Sequence, residues 1–116
     1  MQLNEFQRRI EEIYLARDRA RGLEATFMWF VEEVGELARE LLPHRSASAR
    51  AGSGAGQRLP PDAPLCREFA DVLAWLSTLA SIAGVDLQAA ACAKYGAGCP
   101  RCRHTPCRCT HRHEGS

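Results

Sequence analysis

The segment Leu23 to Leu42 contains the run Trp29-Phe30-Val31-Glu32-Glu33-Val34-Gly35-Glu36-Leu37, and its periodicity decides the fold. On a wheel of about 100° per residue, Phe27, Phe30, Val34, Leu37 and Leu41 gather within roughly 80° of a common direction, the stripe of an amphipathic helix. Glu33, Glu36, Glu40 and Trp29 fall along one border of that stripe, with Glu32 a little further round. The stretch Leu65 to Ala83 repeats the pattern: Leu65, Val72, Leu76 and Leu79 form a stripe, and Glu68, Asp71 and Trp75 line its border. Each helix thus carries an acidic pair, Glu33 with Glu36 and Glu68 with Asp71, at the edge of its own packing face.

Packing the two stripes together brings the pairs to one seam. Like charges at that spacing repel, and a divalent cation is the natural resolution. Carboxylate oxygens suit Mg²⁺ or Mn²⁺. A di-iron bundle uses Glu-x-x-His motifs, whereas neither segment contains a histidine. His44 falls in a connecting stretch, and His104, His111 and His113 fall near the C-terminus.

The flanking sequence reads as further helix. Asn4 is placed to cap a first helix running to about Arg21, which Gly22 ends. The second helix runs from about Glu24 to Leu42 and stops at Pro43. Residues 43–63, rich in Ser, Ala, Gly and Pro, read as a flexible connection. Pro64 suits the first turn of a third helix that continues to Ala83. Gly84 closes it, and Asp86 can cap a short fourth helix to Tyr95. No convincing strand-like alternation is present. The expectation is an all-α, four-helix, bundle-like subunit over residues 1–96, followed by a cysteine-rich tail over 97–116. So few helical residues make a thin core, which points to a homodimer or larger homo-oligomer, or to a metal staple.

Charge is nearly balanced, with 15 Lys and Arg against 14 Asp and Glu. No global field draws the chain to nucleic acid. No apolar run approaches ~20 residues, and the opening Met1-Gln2-Leu3-Asn4-Glu5-Phe6 lacks a signal-peptide pattern. The default expectation is a cytoplasmic protein without a membrane span.

The ordered elements Glu32-Glu33-Val34-Gly35-Glu36-Leu37, Glu68-Phe69-Ala70-Asp71-Val72-Leu73 and Gly84-Val85-Asp86-Leu87, with Lys94 downstream, resemble the MazG-like nucleotide pyrophosphohydrolases of the all-α NTP pyrophosphatase group. The resemblance covers about residues 1–96. It implies an all-helical, oligomerising chain that hydrolyses a nucleoside triphosphate to monophosphate and pyrophosphate with Mg²⁺. By position, Glu33, Glu36, Glu68 and Asp71 correspond to the metal ligands. Two features depart from the pattern: the long connection Pro43 to Pro64, and the continuation Lys94-Tyr95-Gly96-Ala97-Gly98-Cys99 where many relatives carry Asn and Arg. Within this reading Glu32 is a candidate water-orienting base, or else an exposed charge. Lys94 is a candidate phosphate contact, or else a complement to its helix dipole. Trp29 and Trp75 are candidates for stacking a nucleobase, or for packing at a subunit contact.

The tail Cys99-Pro100-Arg101-Cys102-Arg103-His104-Thr105-Pro106-Cys107-Arg108-Cys109 has the spacing C-x2-C-x4-C-x-C. Its first half is a common zinc-knuckle turn, and the second can supply two more thiolates. One tetrahedral Zn²⁺ on Cys99, Cys102, Cys107 and Cys109 is the leading reading, with His104 or His111 as substitute ligands. A redox-labile tail and disulfides are the alternatives, the latter fitting poorly without a secretory signal. Cys66 and Cys92, inside helices, read as buried apolar fillers. Arg101, Arg103, Arg108 and Arg112 make the tail basic. That admits a competing function: a non-catalytic helical dimer whose knuckle binds nucleic acid or a protein partner. The tail has no aromatic residue to stack bases, and the acidic pairs would then have no role.

Overall fold

The computed structural model describes residues 1–45 and 58–111. Among them are four α-helices and no strand: α1 (Leu3–Arg21), α2 (Leu23–Leu41), α3 (Pro64–Ala83) and α4 (Leu87–Tyr95), with a 3₁₀ turn at Leu42–His44. The all-α architecture expected from the periodicity is the one the chain adopts. The expected flexible connection falls largely on residues 46–57, which lie outside the described residues, as do Arg112 and His113.

Local chemistry accounts for most helix ends. Pro64 occupies the first turn of α3, where its missing N–H costs nothing. Gly84 ends that helix in the left-handed region at φ 76°. Val85 N–H reaches back to the Ala80 carbonyl at 2.7 Å and Gly84 N–H to the Ser81 carbonyl at 3.2 Å, the paired bonds of a Schellman cap. Asp86 then caps α4, its Oδ1 accepting from Ala89 N–H at 3.0 Å. Between α1 and α2, Gly22 stands at φ 91°, a conformation that side-chain-bearing residues resist. Its carbonyl accepts both the amide and the hydroxyl of Thr26.

Two ends differ from expectation. The α1 helix starts at Leu3, with Gln2 before it and no side-chain cap. Asn4 lies inside the first turn, and its N–H donates to Gln88 Oε1 at 3.0 Å. The acceptor for this helix start comes from α4, so a local cap is not needed. At the other end of α2, Pro43 does not stop the chain abruptly but sits within the 3₁₀ turn.

The α3 helix packs against both α1 and α2, and α1 also meets α4. On α2 the covered side is not centred on the apolar stripe. Thr26, Phe30, Glu33, Leu37 and Glu40 are buried or half-buried, whereas Phe27, Val31, Val34 and Leu41 are exposed by 54, 50, 40 and 40 %. The packed face is therefore rotated toward the acidic border, so Glu33 lies within the interhelical contact instead of at its edge. Small polar residues permit this. Thr26 and Ser77 are fully buried, and their hydroxyls turn back to the carbonyls of Gly22 and Leu73 at 2.7 and 2.8 Å. Among the described residues, the buried apolar side chains are only Ile10, Leu65 and Ala80.

Hydrogen bonds supplement that thin core. Buried Gln7 donates to the Val85 carbonyl at 2.8 Å and to Ser81 Oγ at 3.1 Å, and accepts from Leu87 N–H at 3.0 Å. Buried Asp18 accepts from Thr78 Oγ1 at 3.0 Å and from Arg21 Nη1 at 2.8 Å. No single helix among the described residues is long and apolar enough to cross a membrane; α3 and α4 reach that measure only as a pair bent by 96°.

Replacing Gln7 by Leu keeps side-chain bulk but removes all three bonds and strands Leu87 N–H. The expected loss is about 1–3 kcal/mol of unfolding free energy, read as a lower urea midpoint at unchanged slope. An unmoved midpoint would show that the Gln7 clamp holds nothing.

Candidate metal centre

The α2 and α3 helices cross the seam in antiparallel register. Trp29 meets Trp75 with ring centroids 6.2 Å apart and planes 14° from parallel. Further along α2, Glu33 and Glu36 come to Glu68, with one carboxylate oxygen of each of the three within 4.8 Å of the others. All three side chains are half-buried. Glu33 Oε2 and Glu68 Oε2 are buried and have no hydrogen-bond partner. A hydrogen bond between the Glu33 and Glu68 side chains requires one of them to be protonated. Accordingly, the Glu33 carboxyl is raised above its ordinary value of 4.5, first by burial and then by the negative charges of Glu36, Asp71 and Glu68.

Asp71 is exposed and stands outside the tight group, although its charge is felt at Glu33. It opens onto a hollow of about 270 Å³ that Tyr14, Arg17, Arg21, Trp75 and Thr78 also line. Asp18 ion-pairs with Arg21, whose guanidinium carbon lies 5.0 Å from the Trp75 ring centre. Positive charge and aromatic surface thus stand next to the carboxylates. Arg17, Asp18 and Arg21 were not singled out from sequence; the Asp18-x-x-Arg21 spacing was the one available trace of them.

The remaining candidates are dispersed. Glu32 is exposed and does not join the carboxylate group. Lys94 is exposed in the last turn of α4, with Nζ 5.7 Å over the Tyr95 ring. It lines a separate hollow with Gly98, Cys99, Pro100 and Arg103, so it does not meet the carboxylates there. Cys66 is half-buried, but Cys92 is exposed, contrary to its expected role as a buried filler. The short α4 is covered mainly by α1, which leaves the Cys92 side open.

The four tail sulfurs do converge, all within 4.8 Å of one another. The amides of Arg108 and His104 hold the Cys102 thiol down to about 5. Those of Cys102 and Arg101 lower Cys99. Cys109, hydrogen-bonded to the Cys107 thiol and partly desolvated, is pushed up to about 12.

The raised Glu33 carboxyl fixes the sign of a pH effect. A folded-state value above the unfolded one means that the folded chain holds the extra proton. Metal-free stability from this group is fully present below 4.5 and is lost as pH rises through the raised value. A divalent ion at these carboxylates would require the deprotonated form, so stabilisation by it would grow over the same window. Thermal melts in chelator are expected to fall from weakly acidic toward neutral pH, and added Mg²⁺ to restore them increasingly. Glu33→Gln is expected to flatten both trends. A wild-type melt that is independent of pH and of Mg²⁺ would contradict this account.

A model of the MazG nucleotide pyrophosphohydrolase domain matches residues 21–103, from the end of α1 through the first two tail cysteines. No curated protein matches the chain. The matched span contains both helices of the acidic seam and most of the chain's length, and the all-helical fold agrees with it. The chain belongs to the MazG nucleotide pyrophosphohydrolase domain family.

Proposed function

We propose that this chain is a Mg²⁺-dependent nucleoside triphosphate pyrophosphohydrolase that cuts between the α and β phosphates. Family membership supports nucleotide pyrophosphohydrolase chemistry. The observation that carries the metal dependence is the pair of buried carboxylate oxygens on Glu33 and Glu68 that meet no donor. Such oxygens suit a hard cation, Mg²⁺ or Mn²⁺. Glu33, Glu36 and Glu68 would hold it, with Asp71 joining from the mouth of the seam. When bound, the ion neutralises polyphosphate charge and acidifies a water.

The chain's own groups supply the rest. Arg17 and Arg21 line the hollow beside Asp71 and offer positive charge to a phosphate. The stacked Trp29 and Trp75 form an aromatic wall next to the carboxylates, against which a nucleobase can lie. Glu32, exposed and adjacent to Glu33, is assigned as the acceptor of the attacking water's proton. That water's oxygen bonds to the α-phosphorus, the bridging P–O bond breaks, and pyrophosphate departs. Glu32 then passes the proton to solvent. Lys94, beside the cysteine turn, receives no phosphate contact in this scheme.

The exposed residues Phe27, Val31, Val34 and Leu41 share one side of α2. A contiguous apolar surface of that kind marks an interaction site. We assign it to a second copy of the chain, making a homodimer or larger homo-oligomer. Light scattering after gel filtration should give at least twice the chain mass, and Val34→Asp should reduce it; a wild-type monomer would refute the assignment.

A panel of nucleoside triphosphates with Mg²⁺ should yield pyrophosphate and monophosphate. Glu36→Ala and Asp71→Ala should each abolish turnover while leaving the helical circular dichroism intact. Glu32→Gln should lower kcat by about 10²–10⁴-fold, the usual scale for a lost proton acceptor. Orthophosphate as the sole product, or full activity in the Glu36 variant, would defeat the proposal.

A further inference from the structure

The four tail cysteines form a cluster that the pyrophosphohydrolase reading does not use. Two opposite pairs, Cys99 with Cys109 and Cys102 with Cys107, each have their sulfurs 3.9 Å apart. A regular tetrahedron of thiolates around Zn²⁺, with Zn–S near 2.3 Å, has edges of about 3.8 Å. All six cysteines of the chain are free, and sulfurs this far apart are not disulfide-bonded.

The surrounding backbone is arranged for thiolates. Arg108 N–H points to Cys102 Sγ and Cys109 N–H to Cys107 Sγ, both at 3.3 Å. The first Cys-x-x-Cys turn is closed by Arg103 N–H on the Cys99 carbonyl at 2.7 Å and by Cys99 N–H on the His104 carbonyl at 3.1 Å. This turn forces Arg103 to φ 64°, a left-handed conformation that residues with a side chain resist. Gly98, at φ 102°, lies so close to Thr105 and His104 that a Cβ there would come within 2.7 Å of the Thr105 hydroxyl oxygen. Yet residues 97–111 contain no helix, no strand and no fully buried side chain. A tight, strained turn system without an apolar core needs another source of cohesion.

We propose that Cys99, Cys102, Cys107 and Cys109 bind one Zn²⁺ as a closed structural site, independent of the carboxylate seam. Binding exchanges the thiol protons for the ion and leaves a tetrathiolate of net charge −2, with Arg101, Arg103 and Arg108 in the same turns. The shell is complete without histidine. His104 approaches Cys102 through its amide and its ring, so it supports a ligand instead of replacing one. With four sulfurs bound, no position is open for water, so the site holds the tail in place and does no chemistry.

The test uses the full chain. Elemental analysis of metal-purged protein reloaded with Zn²⁺ should give one equivalent that survives gel filtration, and Co²⁺ should report tetrahedral thiolate bands in the visible. Cys102→Ser and Cys107→Ser should lose that equivalent. His104→Ala, His111→Ala and Glu33→Gln should each keep it. Substoichiometric zinc in the unaltered chain, octahedral cobalt spectra, or iron in preference to zinc would overturn the proposal. So would loss of the ion from a histidine variant or from the Glu33 variant, the last placing the ion in the seam. Because the readout is bound metal, these results do not depend on whether the chain hydrolyses nucleotides.

Discussion

Glu33 and Glu68 each turn one carboxylate oxygen into the α2–α3 seam, shut away from water and from any donor. Two full charges about 4–5 Å apart repel by roughly 3–4 kcal/mol at an effective dielectric of about 20. Nearby water lowers that figure for half-exposed groups, but it still exceeds the few tenths that a like-charged pair costs on an isolated helix. The chain has two ways to settle this repulsion: retain a proton or accept a cation. The raised Glu33 carboxyl is the first of these. As pH rises through the raised Glu33 value that proton is lost, and under the proposed function a cation would take its place between the packed helices.

What brings the carboxylates together is the register of α2 against α3. At one end it is set by two flat indole rings in parallel stack. Small hydroxyl residues, Thr26 on α2 and Ser77 and Thr78 on α3, are buried in the helix packing. A buried hydroxyl is tolerated only with an acceptor. Thr26 and Ser77 find theirs in their own helices, and Thr78 finds Asp18 on α1. The Asp18 contact also bonds Arg21, the guanidinium that lies over Trp75. Packing, register and the electrostatics of the site are thus one connected set of contacts.

Features that act locally were legible in the sequence. Pro64, Gly84 and Asp86 mark the ends of α3 and α4 through backbone chemistry confined to a few residues, and those ends fall where expected. The acidic pairs were legible because an i,i+3 spacing puts both members on one side of a helix. Less legible was which part of the α2 stripe a single chain covers. Phe27 and Val34 have the hydropathy of core residues, yet α3 packs nearer Glu33. Amphipathic periodicity records total burial and not the identity of the neighbour. The hydrogen bonds of Gln7, Asn4 and Asp18 left no periodic signal at all, since they join residues 60 to 84 positions apart. The same long reach explains the misplaced first cap, because Asn4 takes its acceptor from Gln88.

The Gln7 clamp also orders events in time. Its partners at Val85 and Leu87, and that of Asn4 at Gln88, lie 78 to 84 positions later in the chain. A nascent chain can pair α1, α2 and α3, and join Gln7 to Ser81, while the bond from Leu87 N–H to Gln7 is still unmade. Only when the fourth helix emerges does the opening turn of α1 gain its neighbour, Gln88. Removing the first turn of α1 would therefore loosen the start of α4, at a distance from the acidic seam.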